Sequence, residues 1–198
     1  MASTLLIGTN NEGKAKELAE LLQGLPWVVK GLGDLPTVPE PVEDQDTFEA
    51  NAKLKAAYFC ECFGVACVAD DSGLVVDALD GAPGVYSARY SGPECDSKKN
   101  VAKLLDALQG LPWSERTARF VCCAAFQRPG EAPHIEMGQV EGHIAVAATG
   151  GGGFGYDPIF VPTGEERTFA EMSPAEKHRL SHRGQAFSKL RVHLEGLS

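Results

Sequence analysis

Two rhythms of apolar and polar positions alternate along this chain, one of strand length and one of helical period. Thr4–Ile7 is a short apolar run, and Glu12–Leu22 places Ala15, Leu18, Leu21 and Leu22 on one helical face. Gly24 follows as a left-handed stop. Trp27–Lys30 predicts a second strand, and the proline- and acid-rich stretch "DLPTVPEPVEDQ" predicts a loop. Asp46, with Glu49 three residues on, reads as a capping box that opens a helix running to Gly64. Val65–Ala69 predicts a buried strand that ends at "DDSG", before an apolar stretch at Leu74–Leu79. Asp96–Leu108 predicts a helix, "TARFVCCAAF" a strand, "HIEMGQVEGHIAVAA" one or two more, and "DPIFV" a last one. Ser173, Pro174 and Glu176 supply a cap, a first-turn proline and a third-position acid for a further helix. Early alternation of the two rhythms, with strands clustered in the middle, predicts an α/β fold with a mixed sheet. The hexamer "LQGLPW" occurs at Leu22–Trp27 and at Leu108–Trp113, but the flanks differ. It reads as two similar helix stops, glycine then proline, rather than as a duplication.

Composition narrows the function classes. A chain of 198 residues fits one domain or two closely joined lobes, and it buries enough surface to need no disulfide or metal staple. The six cysteines form no Cys-x-x-Cys pair and no zinc-type spacing with histidine, so reduced thiols are expected. The longest apolar runs stop short of about 18 residues and the first residues lack a basic-then-apolar leader, which points to a cytoplasmic protein without a membrane segment. A formal net charge of −9 argues against a sequence-independent grip on nucleic acid. A polyanionic ligand would need a local basic cluster or a metal.

Four segments carry candidate chemistry. In "LIGTNNEGKA" a strand enters a glycine, and Gly-Lys then opens a helix, as in a phosphate-cradling P-loop. That motif requires Ser or Thr after the lysine to hold magnesium, and Ala15 stands there instead. The strand-to-helix junction Thr9, Asn10, Asn11, Glu12, Gly13 and Lys14 still suits an anion, through backbone N–H groups, the helix dipole and the Lys14 charge. An ordinary cap before a surface helix is the plain alternative. Asp70 and Asp71 are adjacent carboxylates at the expected end of a buried strand, a costly arrangement unless a cation lies beside them. Hard oxygen donors suit Mg²⁺, with Glu43 of the acidic loop as a possible second carboxylate, whereas a simple turn would also use Asp, Ser and Gly. Thr149–Pro158 combines four successive glycines with Phe154, Gly155, Tyr156 and Asp157, either a flexible loop or a close approach to a ligand on which Phe154 stacks. Lys177 precedes His182 and Arg183 of "SHRG" by one to two turns, so the three can reach one side of a cleft or stand singly in solvent. With Lys14 and Lys55, these cations match a magnesium–nucleoside triphosphate.

Five stretches, "TNNEGKAKEL", "TFEANAKLKA", "ADDSGLVVDALDGAPGVYSARYSG", "GGFGYDPIF" and "EKHRLSHRGQA", occur in the order found in the inosine triphosphate pyrophosphatase family. The resemblance runs from about Leu5 to about Leu190, and its closest type is the bacterial XTP/dITP diphosphatase. It implies an elongated two-lobed α/β fold around a long mixed sheet with flanking helices, the active cleft between the lobes, and one pyrophosphatase domain over 1–198. It further implies a homodimer that hydrolyses ITP, dITP or XTP to the monophosphate and pyrophosphate with Mg²⁺, removing deaminated purines from the nucleotide pool. Carried over by motif, Thr9, Asn11 and Lys14 hold phosphates, Asp71 is general base and metal ligand, and Glu43 is the second metal ligand. Ser72, Lys55 and Lys177 contact substrate, while Phe154–Asp157, His182 and Arg183 form the base pocket. Arg183, a donor-only side chain, would pair with a C6 carbonyl and not with the amino group of adenine. Asn10 stands where the family commonly has a small residue, and "VEDQ" replaces the more usual "EETG". The rival readings are a P-loop NTPase, a non-catalytic nucleotide-binding regulator, and a Maf-like nucleotide pyrophosphatase. Ala15, the retained "DDSG", and "GGFGYDPIF" with "SHRG" respectively favour the first reading over them.

Overall fold

The structure is a computed structural model that describes residues 3–197. Six strands form one sheet: β1 (Thr4–Ile7), β2 (Val28–Gly31), β3 (Ala66–Val76), β4 (Thr117–Gln127), β5 (His134–Ile144) and β6 (Phe160–Pro162). Their order is β2-β1-β3-β4-β5-β6. β1 is parallel to both β2 and β3, whereas β5 and β6 are antiparallel, so the sheet is mixed as the alternation of elements predicts. The helices are α1 (Glu12–Leu21), α2 (Phe48–Phe63), α3 (Ser97–Ala107), α4 (Pro174–Leu180) and α5 (His182–Glu195). Among the described residues no helix is long and apolar enough to cross a membrane.

The chain forms two compact units. The first comprises the residues up to Asp71, Cys122–Gly138 and the residues from Arg183 on; the second comprises Ser72–Val121 and Gln139–His182. In the first, Leu5, Ile7 and Val68 of the strands pack with Leu18 and Leu22 of α1 and with Phe187, Leu190 and Leu194 of α5. On the other side Ala52 and Ala56 of α2 meet Ala69, Cys123 and Ala125. The core of the second unit joins Leu74 and Val76 to Leu104, Phe120, Ile144, Phe160 and Phe169. All six cysteines are free thiols, as expected.

Helix starts follow local rules, with one shift. Thr47, not Asp46, caps α2: its Oγ1 accepts the Ala50 N–H at 3.1 Å. Asp96 caps α3, and Ser173 with Glu176 closes a reciprocal capping box on α4. The main departure is β3. It does not end before "DDSG" but continues through it to Val76, so Asp70 and Asp71 lie inside a strand. Turn-forming residue types hid this, because both carboxylates find buried partners that a turn would not supply. "DPIFV" likewise begins with a 3-10 turn at Asp157–Ile159, and only Phe160–Pro162 pairs as a strand.

In the first unit the end of α5 stacks His193 on His134 of β5, with ring centroids 3.6 Å apart and planes at 1°. Burial, then the neighbouring His134 and the Arg128 charge, hold His193 below its usual 6.5. The folded chain therefore prefers the neutral ring, while the unfolded chain takes up a proton near the usual value. The stability gained is whole above about 6.5 and is lost as pH falls through the lower folded value. For His193→Gln we expect the fall in Tm between about pH 7 and about pH 5 to be shallower than in wild type. Parallel melting curves across that range would remove His193 from this role.

Candidate active site

The turn between β1 and α1 is built for close approach. Gly8 donates its N–H to the Val68 carbonyl at 2.8 Å. A Cβ at Gly8 would lie 2.8 Å from Cys67 Sγ and 2.9 Å from a Phe59 ring carbon, so only glycine fits without displacing both. Beyond it, Thr9 Oγ1 accepts the Asn11 N–H, and Asn11 caps α1 by accepting the Lys14 N–H at 3.0 Å. Thr9 and Asn11 thus act as acceptors that shape the turn. Asn10 is held aside by Glu40, at 2.6 Å, and Glu12 and Gly13 lie in the first turn of the helix. Lys14 extends to the Asp70 carboxylate, 3.3 Å away.

Successive residues of a strand point to opposite faces, and this separates the two aspartates. Asp70, 1% exposed, gathers Lys14 and also Arg183, whose Nη2 and Nε lie 3.1 and 3.3 Å from its Oδ2. Arg183 Nη1 lies 2.7 Å from Glu17 of α1. Burial works against the guanidinium, but the Asp70 and Glu17 carboxylates outweigh it and hold its pKa above the usual range. Asp71 faces α2 instead. Its Oδ1 lies 3.2 Å from Lys55 Nζ, and its Oδ2 accepts from Asn51 at 3.2 Å. Lys55 Nζ also lies 2.7 Å from Glu43 Oε2. A cation does lie beside each of the adjacent carboxylates, but not the same one: Lys14 and Arg183 stand beside Asp70, and Lys55, which also meets Glu43, stands beside Asp71.

Burial raises the pKa of Asp71, and Glu43 adds to the rise, while Lys55 and Lys14 pull against it. Lys55 is pulled down by burial, yet Asp71, Glu43 and Asp70 together hold it above its ordinary value. Asp71 is thus a desolvated carboxylate with raised proton affinity, and Lys55 is an ammonium. Such a carboxylate can take a proton from water, and such an ammonium can meet phosphate oxygens. Glu43 and Asp71 are the residues that could hold a hard cation, because both already converge on a positive charge.

In the second unit, Asp157 is the hub. Its Oδ2 accepts the Phe154 N–H at 2.8 Å and lies 2.5 Å from Lys177 Nζ, with both residues nearly fully buried. Gly153, with φ of 67°, allows this turn; a Cβ there would fall 2.1 Å from the Asp157 carboxylate. Lys177 Nζ lies 4.9 Å from the Phe154 ring centroid, a cation–π contact. It is delivered by α4, only seven residues long, whose start is fixed by Pro174 and the Ser173–Glu176 box. Glu176 also pairs with Arg167, and its pKa is lowered to about 2, first by the Ser173 hydroxyl.

Two residues expected in the base pocket lie within the core of this unit. Tyr156 donates its hydroxyl to the Ser87 carbonyl at 2.8 Å, and His182 stacks on Phe120 at 4.6 Å. Gly155 sits in the turn with φ of 62°, and Ser72 is a half-buried residue of β3. Lys177, His182 and Arg183, read from sequence as one side of a cleft, have different partners: Asp157, Phe120, and Asp70 with Glu17. Two participants escape the sequence reading, Glu17 and Asn51, and for Asp70 the sequence points to a cation but not to Lys14 and Arg183 as its source. Only Glu17 left a local signal, its place three residues after Lys14 on one helix face.

The model of the Ham1 family matches residues 5–193. The chain belongs to the Ham1 family. A relative called dITP/XTP pyrophosphatase in Geobacter sulfurreducens is 47% identical over 96% of each chain, and one of the same name in Bacillus subtilis is 44% identical over 96% of each. Among solved structures, a HAM1 protein from Coxiella burnetii matches with a TM-score of 0.88 at 38% identity, covering 99% of this chain and all of the other. The Staphylococcus aureus Ham1 protein matches at 0.86, with 36% identity, over 98% and 100% of the two chains. The Ham1 match spans all four candidate segments, including the Thr9–Lys14 turn.

Proposed function

We propose that this chain hydrolyses dITP, XTP and ITP to the nucleoside monophosphate and pyrophosphate, clearing deaminated purines from the nucleotide pool. The observation that carries the reading is Asp71: a buried carboxylate of raised proton affinity, braced by Lys55 and Asn51, in a chain similar throughout to dITP/XTP pyrophosphatases. In the reaction, a water oxygen forms a bond to the α-phosphorus and the bond to the α–β bridging oxygen breaks. Pyrophosphate leaves with that electron pair, and Asp71 takes the proton of the water. Lys14 and Lys55 supply positive charge to the phosphate oxygens.

Magnesium is the ion that fits. The Lys55 ammonium stands in for it, held at 2.7 and 3.2 Å by the carboxylates of Glu43 and Asp71. Glu43 and Asp71 offer two carboxylates, and magnesium takes one or two and completes its shell with water and phosphate. When bound there, it would neutralise charge developing on the phosphate oxygens. Phe154 supplies a stacking face for the base, and Lys177 beside it carries only donors, which pair with a C6 carbonyl and not with an amino group. The family resemblance supports a homodimer working in the cytoplasm.

Pyrophosphate release from ITP, XTP, ATP and GTP, with Mg²⁺ and with chelator, tests the reading. Metal-dependent release from ITP and XTP is expected, with ATP slower by orders of magnitude. Orthophosphate from ATP would overturn it in favour of an ATPase. ITP bound but unhydrolysed would mark a nucleotide sensor.

A further inference from the structure

The acidic segment that carries Glu43 has no helix or strand from residue 36 to 45. What sets the place of Glu43 is therefore a question of side-chain anchors. Asn10 reaches Glu40 at 2.6 Å, and Tyr58 reaches the Pro39 carbonyl at 2.7 Å, but both lie upstream of Glu43. Downstream, the anchor is Asn51, one turn into α2 and 1% exposed. Its Oδ1 accepts the Gln45 N–H at 3.2 Å, and its Nδ2 donates to the Gln45 carbonyl at 3.3 Å. The carboxamide thus grips both polar groups of one loop residue, two positions after Glu43. The same Nδ2 donates its other hydrogen to Asp71 Oδ2 at 3.2 Å.

This set of contacts permits one orientation of the amide. Two acceptors face the nitrogen and one donor faces the oxygen, so a flipped amide would place oxygen against a carbonyl and a carboxylate. It also divides the labour of Asp71. With Oδ2 committed to Asn51, Oδ1 is aimed at the ammonium that Glu43 already holds. We propose that Asn51 is a positioning residue of the catalytic centre, which sets the separation and aim of the Glu43 and Asp71 carboxylates by clamping the loop of one and the carboxyl plane of the other. The inference rests on the reading above in one respect, that these two carboxylates share a divalent cation. Partners that orient carboxylate ligands in this way commonly change metal affinity or activity by about 10–100-fold when removed.

Two variants test it. Asn51→Ala removes all three contacts; Asn51→Asp keeps the shape and the acceptor for Gln45 but sets a charged oxygen against Asp71. Circular dichroism first establishes that each is folded. Mn²⁺ affinity, read from the electron paramagnetic resonance signal of the free ion, is expected to fall about 10–100-fold in both. Hydrogen exchange at the Gln45 amide of the metal-free protein is expected to rise in Asn51→Ala. At saturating Mg²⁺, kcat for ITP should fall while KM changes little. Wild-type Mn²⁺ affinity together with a protected Gln45 amide in the variants would overturn the proposal. A lowered Tm with unchanged Mn²⁺ affinity and unchanged kcat would do the same, leaving Asn51 as a loop staple alone. If wild type itself binds no Mn²⁺, the shared-cation reading falls, and kcat with Gln45 exchange then decides on Asn51. A fall in kcat with faster exchange upholds the clamp, and no change in either ends it.

Discussion

Asp71→Asn is expected to bind ITP and fail to cleave it. The substitution keeps the shape of the side chain and one acceptor oxygen, but Asn51 Nδ2 and Lys55 Nζ both donate, so the new amide nitrogen faces a donor, and the carboxylate able to take a proton is gone. Loss of a positioned general base costs about 10²–10⁴-fold, and here the loss of a metal-holding oxygen adds to it. Binding should survive, because Lys14 is untouched and Lys55 keeps its 2.7 Å contact with Glu43. Steady-state kcat and KM for ITP, with equilibrium dialysis of ITP against the variant, check both halves. A kcat within about tenfold of wild type would take Asp71 out of the base role.

Its neighbour should behave in the opposite way. Asp70→Asn is expected to lower stability by about 3–5 kcal/mol, the usual cost of removing one partner from a buried ion pair. The side chain of Asp70 has no solvent exposure, and its loss leaves Arg183, itself 3% exposed, with Glu17 as its remaining carboxylate at 2.7 Å. For a chain of this size each kcal/mol corresponds to about 2–4 °C in Tm, so a fall of about 6–20 °C is expected by scanning calorimetry. Lys14 loses its anchor in the same variant, so KM for ITP should rise along with the fall in Tm. A Tm unchanged from wild type would mean that the Lys14–Asp70–Arg183–Glu17 cluster contributes no net stability. On the proposed function, two adjacent residues of one strand would divide turnover and stability between them.

What the sequence made legible follows from the range over which each signal acts. The cap of α3, the capping box of α4 and the stop at Gly64 are decided within four residues, and the chain declares them. β3 was cut short because Asp70–Gly73 carries turn-forming types; their burial depends on Lys14, Lys55, Asn51 and Arg183, up to 113 residues away. The phosphate turn was readable as a helix start, but the destination of its lysine was not. Arg183 shows the same limit: its residue type declares a donor-only cation, while its commitment to Asp70 and Glu17 is a fact of packing alone. The acidic loop marks Glu43 as a possible second carboxylate beside Asp71, and the family resemblance names the two as metal ligands. Asn51 stands inside "TFEANAKLKA" without a local signal, because its contacts bridge a structureless loop and a strand.

The short helix that carries Lys177 has a bearing on how natural variants of this chain should be read. Seven residues make too little helix to persist unaided, so the reach of the Lys177 ammonium to Asp157 depends on a hydroxyl and a carboxylate at the helix start. Ser173 is exposed and Glu176 half-buried, both are far along the chain from Asp71, and a survey that ranks positions by burial would score them as tolerant. Substitution at either would loosen the loop that Asp157 organises around Phe154, and would surface as altered base preference with the catalytic step intact. On the proposed function, sequence drift at this helix start would change which nucleotides are cleared without touching the chemistry that clears them.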